Sequence, residues 1–390
     1  MKRYLEAEKN ELVFSGSNYF ELLEKLIHES REVLHFQTYI FETDETGLRI
    51  ISALIEAAKR KVKVFLMVDA YGSFPFSKSV QHDLEQAGVS FRLFSPLFSS
   101  ENIFFGRRLH HKIIVADKKK ALTGGINIAN KYNTSADAPA WLDYGVLTTG
   151  SACEYLHLLC EQFYFKQKNH ALSMWENKTL SPTVSDGISL IRFRRNDWLK
   201  RKNEIHKSYI EALLNAEKSI SIVASYFLPG QGFRKLLRQA AERGVRIQII
   251  LAGKSDIPTL RWAENYLFDF FLEHNIALYE WQNSVMHGKA MIVDDYWATV
   301  GSYNLNLLSH YISVELNTDI IDPVFITKFN RHLSGILSEH CTRVELISEL
   351  QSKSVFTRLK KYLAYLFYRR MMNILMSGRK YKKRKRNYHG

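Results

Sequence analysis

A string of fixed spacing occurs twice in this chain. His110-x-Lys112-x4-Asp117 is followed by Gly124, Gly125 and Asn127, and 177 residues later His287-x-Lys289-x4-Asp294 is followed by Gly301, Ser302 and Asn304. One such string can arise by accident. Two copies that share the downstream glycine and asparagine without slippage indicate an internal duplication. The repeat reaches upstream as well: the segment Leu54 to Val64 returns 183 residues later as Leu237 to Ile247, each copy a helix end running into an apolar strand. Before it, Phe20, Leu23 and Ile27 mark one helix face and Val33 to Phe41 a strand; Ile205, Tyr209, Leu213 and Ala216, then Ile220 to Phe227, repeat that order. Two halves on one βα plan predict duplicated α/β domains about a pseudo-twofold axis.

A length of 390 residues suits two domains, each able to bury a core of its own. The polar stretch 176–187, with Pro182 and Gly187, reads as a linker. It separates a first domain over 1–175 from a second over 188–348, with a tail over 349–390. Cys153, Cys160 and Cys341 lack C-x-x-C spacing, which predicts neither a disulfide framework nor a zinc site. The opening residues Met1 to Glu8 carry no apolar signal region, and no uninterrupted apolar run reaches the length of a membrane span, so neither a leader nor a spanning helix is expected.

Each motif reads as a hairpin, with Ile113 to Val115 and Met291 to Val293 leading into polar turns. Alternate strand residues share a face, so His110 and Lys112 point one way, as do His287 and Lys289. One pair supplies a base and a cation. Two pairs brought together across a dyad supply what attack on a phosphodiester requires. One histidine attacks phosphorus and forms a phosphohistidine, while the other, on the far side, protonates the leaving alkoxide and later deprotonates the incoming alcohol or water. Lys112, Lys289, Asn127 and Asn304 are expected to hold the non-bridging oxygens. The lysines supply the positive charge, so no metal and no cofactor is expected. The isolated histidines His28, His157, His274 and His340 read as surface or packing residues, and His111 and His310 as tuning or packing neighbours. Asp69, Gly72, Ser73, Lys254, Ser255 and Asp256 end strands and line a cleft or simply a loop.

The doubled motif resembles that of the phospholipase D superfamily over roughly residues 10 to 345. The resemblance implies two duplicated phospholipase D-type α/β/α sandwich domains related by a pseudo-twofold axis, plus a basic C-terminal helical tail. It also implies an acidic residue downstream of each motif that fixes a histidine tautomer. Asp143, in Trp141-Leu-Asp143, and Glu315, six residues after Ser309, are the matching positions. It gives the nucleophile's role to His110. Asp117 and Asp294 are motif residues that brace a loop or join the catalytic set; Gly124, Gly125, Gly301, Ser302 and Ser309 support it.

Within the superfamily, Tyr226-Phe-Leu-Pro-Gly230, Met286-His-Gly-Lys-Ala-Met-Ile-Val-Asp294, Trp297-Ala-Thr-Val-Gly-Ser-Tyr-Asn304 and Gly124-Gly-Ile-Asn-Ile128 resemble bacterial cardiolipin synthases, nearest the short forms without N-terminal transmembrane helices. Asn306 stands where that family usually has aspartate. Charge distribution agrees with a lipid substrate. The net charge is +14, yet residues 351–390 hold 13 Lys and Arg and no Asp or Glu, so the catalytic body is nearly neutral. Val355, Leu359, Tyr362, Leu363 and Leu366 share one helical face ahead of the polybasic run Arg379 to Arg386. Such a tail suits an anionic membrane surface. The implied activity is transfer of a phosphatidyl group from phosphatidylglycerol or a similar lipid to the hydroxyl of a second lipid. The implied place is the cytoplasmic face of the bacterial inner membrane, bound peripherally, with phosphatidylglycerol and cardiolipin as partners. A phospholipase D hydrolase using water, or a nuclease of the same superfamily, would use the same residues. The aromatic, Met-rich helix beside the basic run favours lipid over nucleic acid.

Overall fold

The structure, a computed structural model, describes residues 4–96, 107–134, 138–177, 189–198, 200, 202–306, 313–345 and 354–386. Ser309, His310, the linker positions 178–187 and the side chains of the run Arg379 to Arg386 lie outside the described residues. In chain order the strands are β1 (Leu5–Ala7), β2 (Lys9–Phe14), β3 (Val33–Thr38), β4 (Lys63–Asp69), β5 (Ser90–Phe94), β6 (Arg108–Leu109), β7 (Lys112–Ala116), β8 (Lys120–Gly124), β9 (Tyr144–Thr149), β10 (Ser189–Asp197), β11 (Lys202–Asn203), β12 (Ser219–Ala224), β13 (Arg246–Ala252), β14 (Ala277–Trp281), β15 (Lys289–Val293), β16 (Trp297–Gly301), β17 (Ser313–Ile321) and β18 (Cys341–Arg343).

One sheet runs β2-β9-β8-β7-β3-β4-β5. The other runs β10-β17-β16-β15-β12-β13-β14 through its middle, each strand replaced by its counterpart in the same order, with β1, β6, β11 and β18 added at its margins. The duplication is therefore a duplication of topology. Strands β3, β7 and β8 are buried on both faces because both are covered. Leu34, Phe36, Ile114 and Leu122 meet the helices Ser17–Glu29 and Glu45–Lys59, while Ile113, Val115 and Ala121 meet the helix Cys153–Phe165. Alternation along each strand sends successive side chains into the two layers.

Two features depart from a pair of self-sufficient domains. The strand β1, from the first expected domain, pairs with β10 of the second sheet, and β6 pairs with β17. The inner core is also shared: Ile113, Tyr144 and Leu156 of the first half pack in one cluster with Met286, Ala290, Val300 and Phe329 of the second. A buried hydrogen bond of 2.8 Å joins Thr123 to Thr318 across the same junction. The tail begins as the helix Val355–Arg386, docked on the helix Pro258–Asn265 and its flank. Lys361 is buried there, Tyr365 stacks on Tyr266, and the Tyr368 hydroxyl lies 2.9 Å from that of Thr259. The other side of the helix presents Phe356, Leu359, Leu363 and Phe367 to solvent. The face expected from Val355 to Leu366 thus divides between a Tyr-rich inner side and an apolar outer stripe. Among the described residues no helix is long and apolar enough to cross a membrane.

A core shared across the junction couples the lobes. Calorimetric unfolding is expected to give one cooperative transition, with the van't Hoff and calorimetric enthalpies in agreement. Two resolved transitions would contradict the shared core.

Candidate active site

The two hairpins hold their motif residues at opposite ends. In the turn from β7 to β8, Asp117 and Lys118 adopt positive φ angles of 50° and 60°; in the turn from β15 to β16, Asp294 and Asp295 adopt 54° and 51°. Consecutive positive φ is the twist-compatible way to close a tight hairpin, and Asp tolerates it. The Asp117 carboxylate accepts the backbone N–H groups of Arg31, Glu32 and Val33 at 2.8 to 3.0 Å. Asp294 accepts those of Glu217, Lys218 and Ser219 at 2.7 to 2.8 Å. Both aspartates complete the motif, but each is committed to backbone at the far end of its strand from the lysine. They brace the hairpin to the neighbouring central strand and do not face the histidines.

The near ends meet through backbone. His110 N and His111 N each donate to Val314 O at 2.9 Å, where β6 runs beside the start of β17. By the matching contact His287 N donates to Leu142 O at 2.7 Å, and Leu142 bridges Met286. The residue after Val314 is Glu315, and the residue after Leu142 is Asp143. Each histidine is thereby set beside the carboxylate of the other half. His110 Nδ1 lies 2.8 Å from Glu315 Oε2, and His287 Nδ1 lies 2.6 Å from Asp143 Oδ2. The order along the chain suggests His110 with Asp143 and His287 with Glu315; the structure crosses them. An Nδ1–H donated to a carboxylate fixes the tautomer and leaves the Nε2 lone pair for chemistry.

The surrounding groups hold this arrangement. Lys112 Nζ donates to His110 O at 2.7 Å, and Lys289 Nζ donates to His287 O and lies 3.8 Å from Asp143. Lys289 Nζ is also 2.8 Å from His287 Nδ1, but a nitrogen that gives its proton to Asp143 cannot accept another. A Cβ on Gly125 would stand 2.3 Å from the Asp143 carboxylate, and one on Gly301 2.2 Å from Asn317 Oδ1. Gly124, at φ +156°, lies under the Tyr144 carbonyl. Ser302 Oγ donates to Glu315 and accepts Leu316 N at 3.1 Å. Asn127 accepts Ile40 N at 3.1 Å and donates to the Tyr132 hydroxyl at 2.9 Å; Asn304 accepts the Ser225 hydroxyl at 3.0 Å. Both asparagines therefore already hold loops at the strand ends.

Four aromatic residues to which the motif reading gave no site role line the centre, two of them, Trp141 and Tyr226, inside the quoted strings. Tyr39 lies 4.8 Å from the His110 ring, and Tyr132, Trp141 and Tyr226 lie 5.4, 6.1 and 5.9 Å from that of His287. Tyr39 and Tyr226 each follow a central strand at its catalytic end, which is the signal that could have found them. Of the strand-end residues left open, Asp69 accepts Leu109 N at 2.7 Å, Ser73 donates to Tyr39 O at 2.9 Å, and Asp256 accepts the Tyr226 hydroxyl at 2.9 Å. They support the walls of the site.

Burial dominates the electrostatics. It pushes the Lys112 ammonium down to about 7 and that of Lys289 to about 8, against the attraction of Glu315 and Asp143 respectively. It raises Asp143 to about 6, against the pull of Lys289. Both histidines fall below their ordinary range, through burial first; His287 is pushed further by Lys289, Lys112 and His110. Each half's carboxylate touches the other half's histidine, and a lysine stands beside each couple. Among the described residues, the one group of three side chains close enough to hold a metal ion lies elsewhere, at His35, His157 and Glu161.

A centre built from two halves, each lending a histidine, a lysine and the partner carboxylate of the other, defines an enzyme of the phospholipase D type. The model of the family described as cardiolipin synthase, phospholipase D-like domain, matches residues 23–138 and 209–337. Cardiolipin synthase B of Escherichia coli K12 is 32% identical over 370 residues, covering 93% of this chain and 88% of that protein. A probable cardiolipin synthase of Bacillus subtilis is 28% identical over 360 residues, with 90% and 70% covered. The crystal structure of phosphatidylserine synthase from Haemophilus influenzae superposes with a TM-score of 0.76 at 15% identity over 95% of this chain and 97% of that one, which is a likeness of fold. The chain belongs to the cardiolipin synthase family of phospholipase D-like proteins.

Removing either bracing carboxylate, by Asp117→Ala or Asp294→Ala, is expected to lower stability by about 1–2 kcal/mol while the folded protein keeps most of its turnover; thermal melting and kcat read the two separately. A loss of kcat as large as that of a histidine variant would contradict the bracing role. The pH dependence follows from the shifted groups. Asp143, raised to about 6, loses its negative charge as pH falls through that value; Lys112 and Lys289 lose their positive charges as pH rises through about 7 and 8. A bell-shaped kcat/KM is expected between these limits, with the alkaline limb of kcat at higher pH because a bound phosphodiester anion raises the lysines. A flat profile from about pH 5.5 to 9 would contradict it.

Proposed function

We propose that this enzyme transfers a phosphatidyl group from phosphatidylglycerol or a similar phospholipid to the hydroxyl of a second lipid, at the cytoplasmic face of the bacterial inner membrane. The observation that carries the reading is the crossed pair of buried histidine–carboxylate couples with a lysine beside each. The Nε2 lone pair of His110 attacks phosphorus, and the P–O bond to the leaving alcohol breaks. His287, protonated on both nitrogens, passes its Nε2 proton to that oxygen. The neutral His287 then takes a proton from the acceptor hydroxyl, whose oxygen displaces His110 from phosphorus. Lys112 and Lys289 offset the negative charge on the non-bridging oxygens, with Asn127 and Asn304 shaping the loops around them. The resemblance gives His110 the nucleophile's role.

The tail supports lipid as the substrate phase. Phe356 and Phe367 are 82% and 62% exposed on the outer side of the C-terminal helix, and Leu359 and Leu363 lie between them at helical spacing. Each such side chain buried in a membrane interface contributes up to about 1.5–3 kcal/mol, and each basic residue near an anionic surface about 1 kcal/mol. A few of each hold the catalytic body against its substrate.

Lipid mass spectrometry of cells and of anionic vesicles tests the reading. The wild-type chain is expected to produce a two-phosphate lipid from phosphatidylglycerol. His110→Ala and His287→Ala are each expected to lower its formation by at least about three orders of magnitude while vesicle binding persists. Replacing Phe356, Leu359, Leu363 and Phe367 by serine is expected to weaken vesicle binding. Phosphatidic acid as the sole product would assign hydrolysis, and cleavage of single-stranded DNA without lipid turnover would assign a nuclease.

A further inference from the structure

The helix Cys153–Phe165 lies across one face of β3, and three side chains meet at that contact outside the catalytic centre. His35, in the middle of β3, is fully buried, and neither of its ring nitrogens has a hydrogen-bond partner among the described residues. Its ring stacks on Phe65 at 4.8 Å and meets the His157 ring edge-on at 4.9 Å. His157 is also buried, with Nδ1 unpartnered among the described residues. Its Nε2 faces Glu161 Oε1, one helical turn away, at 3.4 Å. A buried polar atom left unpaired costs about 1–3 kcal/mol, so an imidazole in this central, fully buried strand is expensive unless something takes its lone pair.

We propose that His35, His157 and Glu161 form a binding site for a divalent transition metal, zinc foremost, that fastens this helix to the first sheet. Two imidazoles and one carboxylate are a zinc-type donor set. Two ligand atoms on a tetrahedral zinc at about 2.0–2.1 Å stand about 3.4 Å apart, the separation of His157 Nε2 and Glu161 Oε1, and longer than a direct N–H···O bond prefers. The ligand atoms of all three residues lie within 4.8 Å of one another, so closure on a metal needs a shift of about an ångström. The second Glu161 oxygen accepts Asn169 Nδ2 at 3.2 Å, an outer contact of the kind that orients a ligating carboxylate. The Glu161 side chain is one-third exposed, which gives a metal and a fourth ligand, water, access to the site.

The metal would act on position, since it stands apart from the reacting groups. Gln37, two residues along the same face of β3, donates to Cys160 O on that helix at 2.8 Å and pairs with His111 Nε2 at 2.9 Å. His111 follows His110 in the chain. Fastening the helix therefore steadies the neighbour of a catalytic histidine. Untagged full-length protein, stripped with a chelator, should be titrated with Zn2+ against a chromophoric competitor and with Co2+ by visible absorption. One equivalent is expected, with the intense Co2+ bands of a tetrahedral site and a metal-dependent rise in melting temperature. Glu161→Gln and His157→Ala should each weaken binding at least about tenfold, as loss of a ligand or its orienting contact does, and His110→Ala and His287→Ala should leave it unchanged. Glu161→Gln lies at the edge of the fold, so it reads the site even if His157→Ala unfolds. No binding at micromolar Zn2+, binding indifferent to Glu161→Gln, or binding lost in His287→Ala would each overturn the proposal.

Discussion

Everything in the candidate catalytic centre depends on an exchange: each half supplies the carboxylate that is paired with the other half's histidine. The exchange is built from backbone. His110 N and His111 N donate to Val314 O, and His287 N donates to Leu142 O, so that Glu315 and Asp143 come one residue later against the imidazoles. Neither lobe holds a complete set. The shared core, the Thr123–Thr318 hydrogen bond and the pairing of β6 with β17 are the structural counterpart of that dependence.

The exchange also settles the charge. With both histidines neutral, two lysines balance two carboxylates, and the buried centre carries no net charge. A phosphodiester brings one negative charge into this space. In the transfer proposed above, that added negative charge favours uptake of a proton by the buried histidine–carboxylate couples. On that proposal, the bound anion offsets what burial and the lysines do to His287 and favours the protonated imidazole that the first displacement needs. The tail helix stacks its inner side on Tyr266 and leaves its outer side apolar, adding no group to this centre.

Much of this was legible in the sequence, because duplication is a long-range statement that a single chain can make. The equal offsets of His110, Lys112, Gly124 and Asn127 from their counterparts implied two lobes on one plan, and the sheets repeat strand for strand. Strand periodicity put each His and Lys on one face. The crossing of Asp143 and Glu315 was not legible, since proximity along the chain favours the opposite pairing and only the packing of two lobes decides it. The aspartates of the motif illustrate a second limit: Asp117 and Asp294 share a regular spacing with the histidines, yet strand length carries them to the other end of the hairpin. His157 read as a packing residue: Glu161 lies one turn along the same helix, but His35 meets it only where that helix crosses β3, and the crossing leaves no spacing signal.

The central claim is the crossed pairing, and the histidine ring nitrogens report it most directly. In protein labelled with 15N at histidine, His110 and His287 should show the Nδ1–H tautomer with strongly deshielded Nδ1 protons. Glu315→Gln should shift the His110 proton and leave that of His287, and Asp143→Asn should do the reverse. If Glu315→Gln instead moved the His287 resonance alone, each lobe would be orienting its own histidine, and the shared centre described above would be wrong.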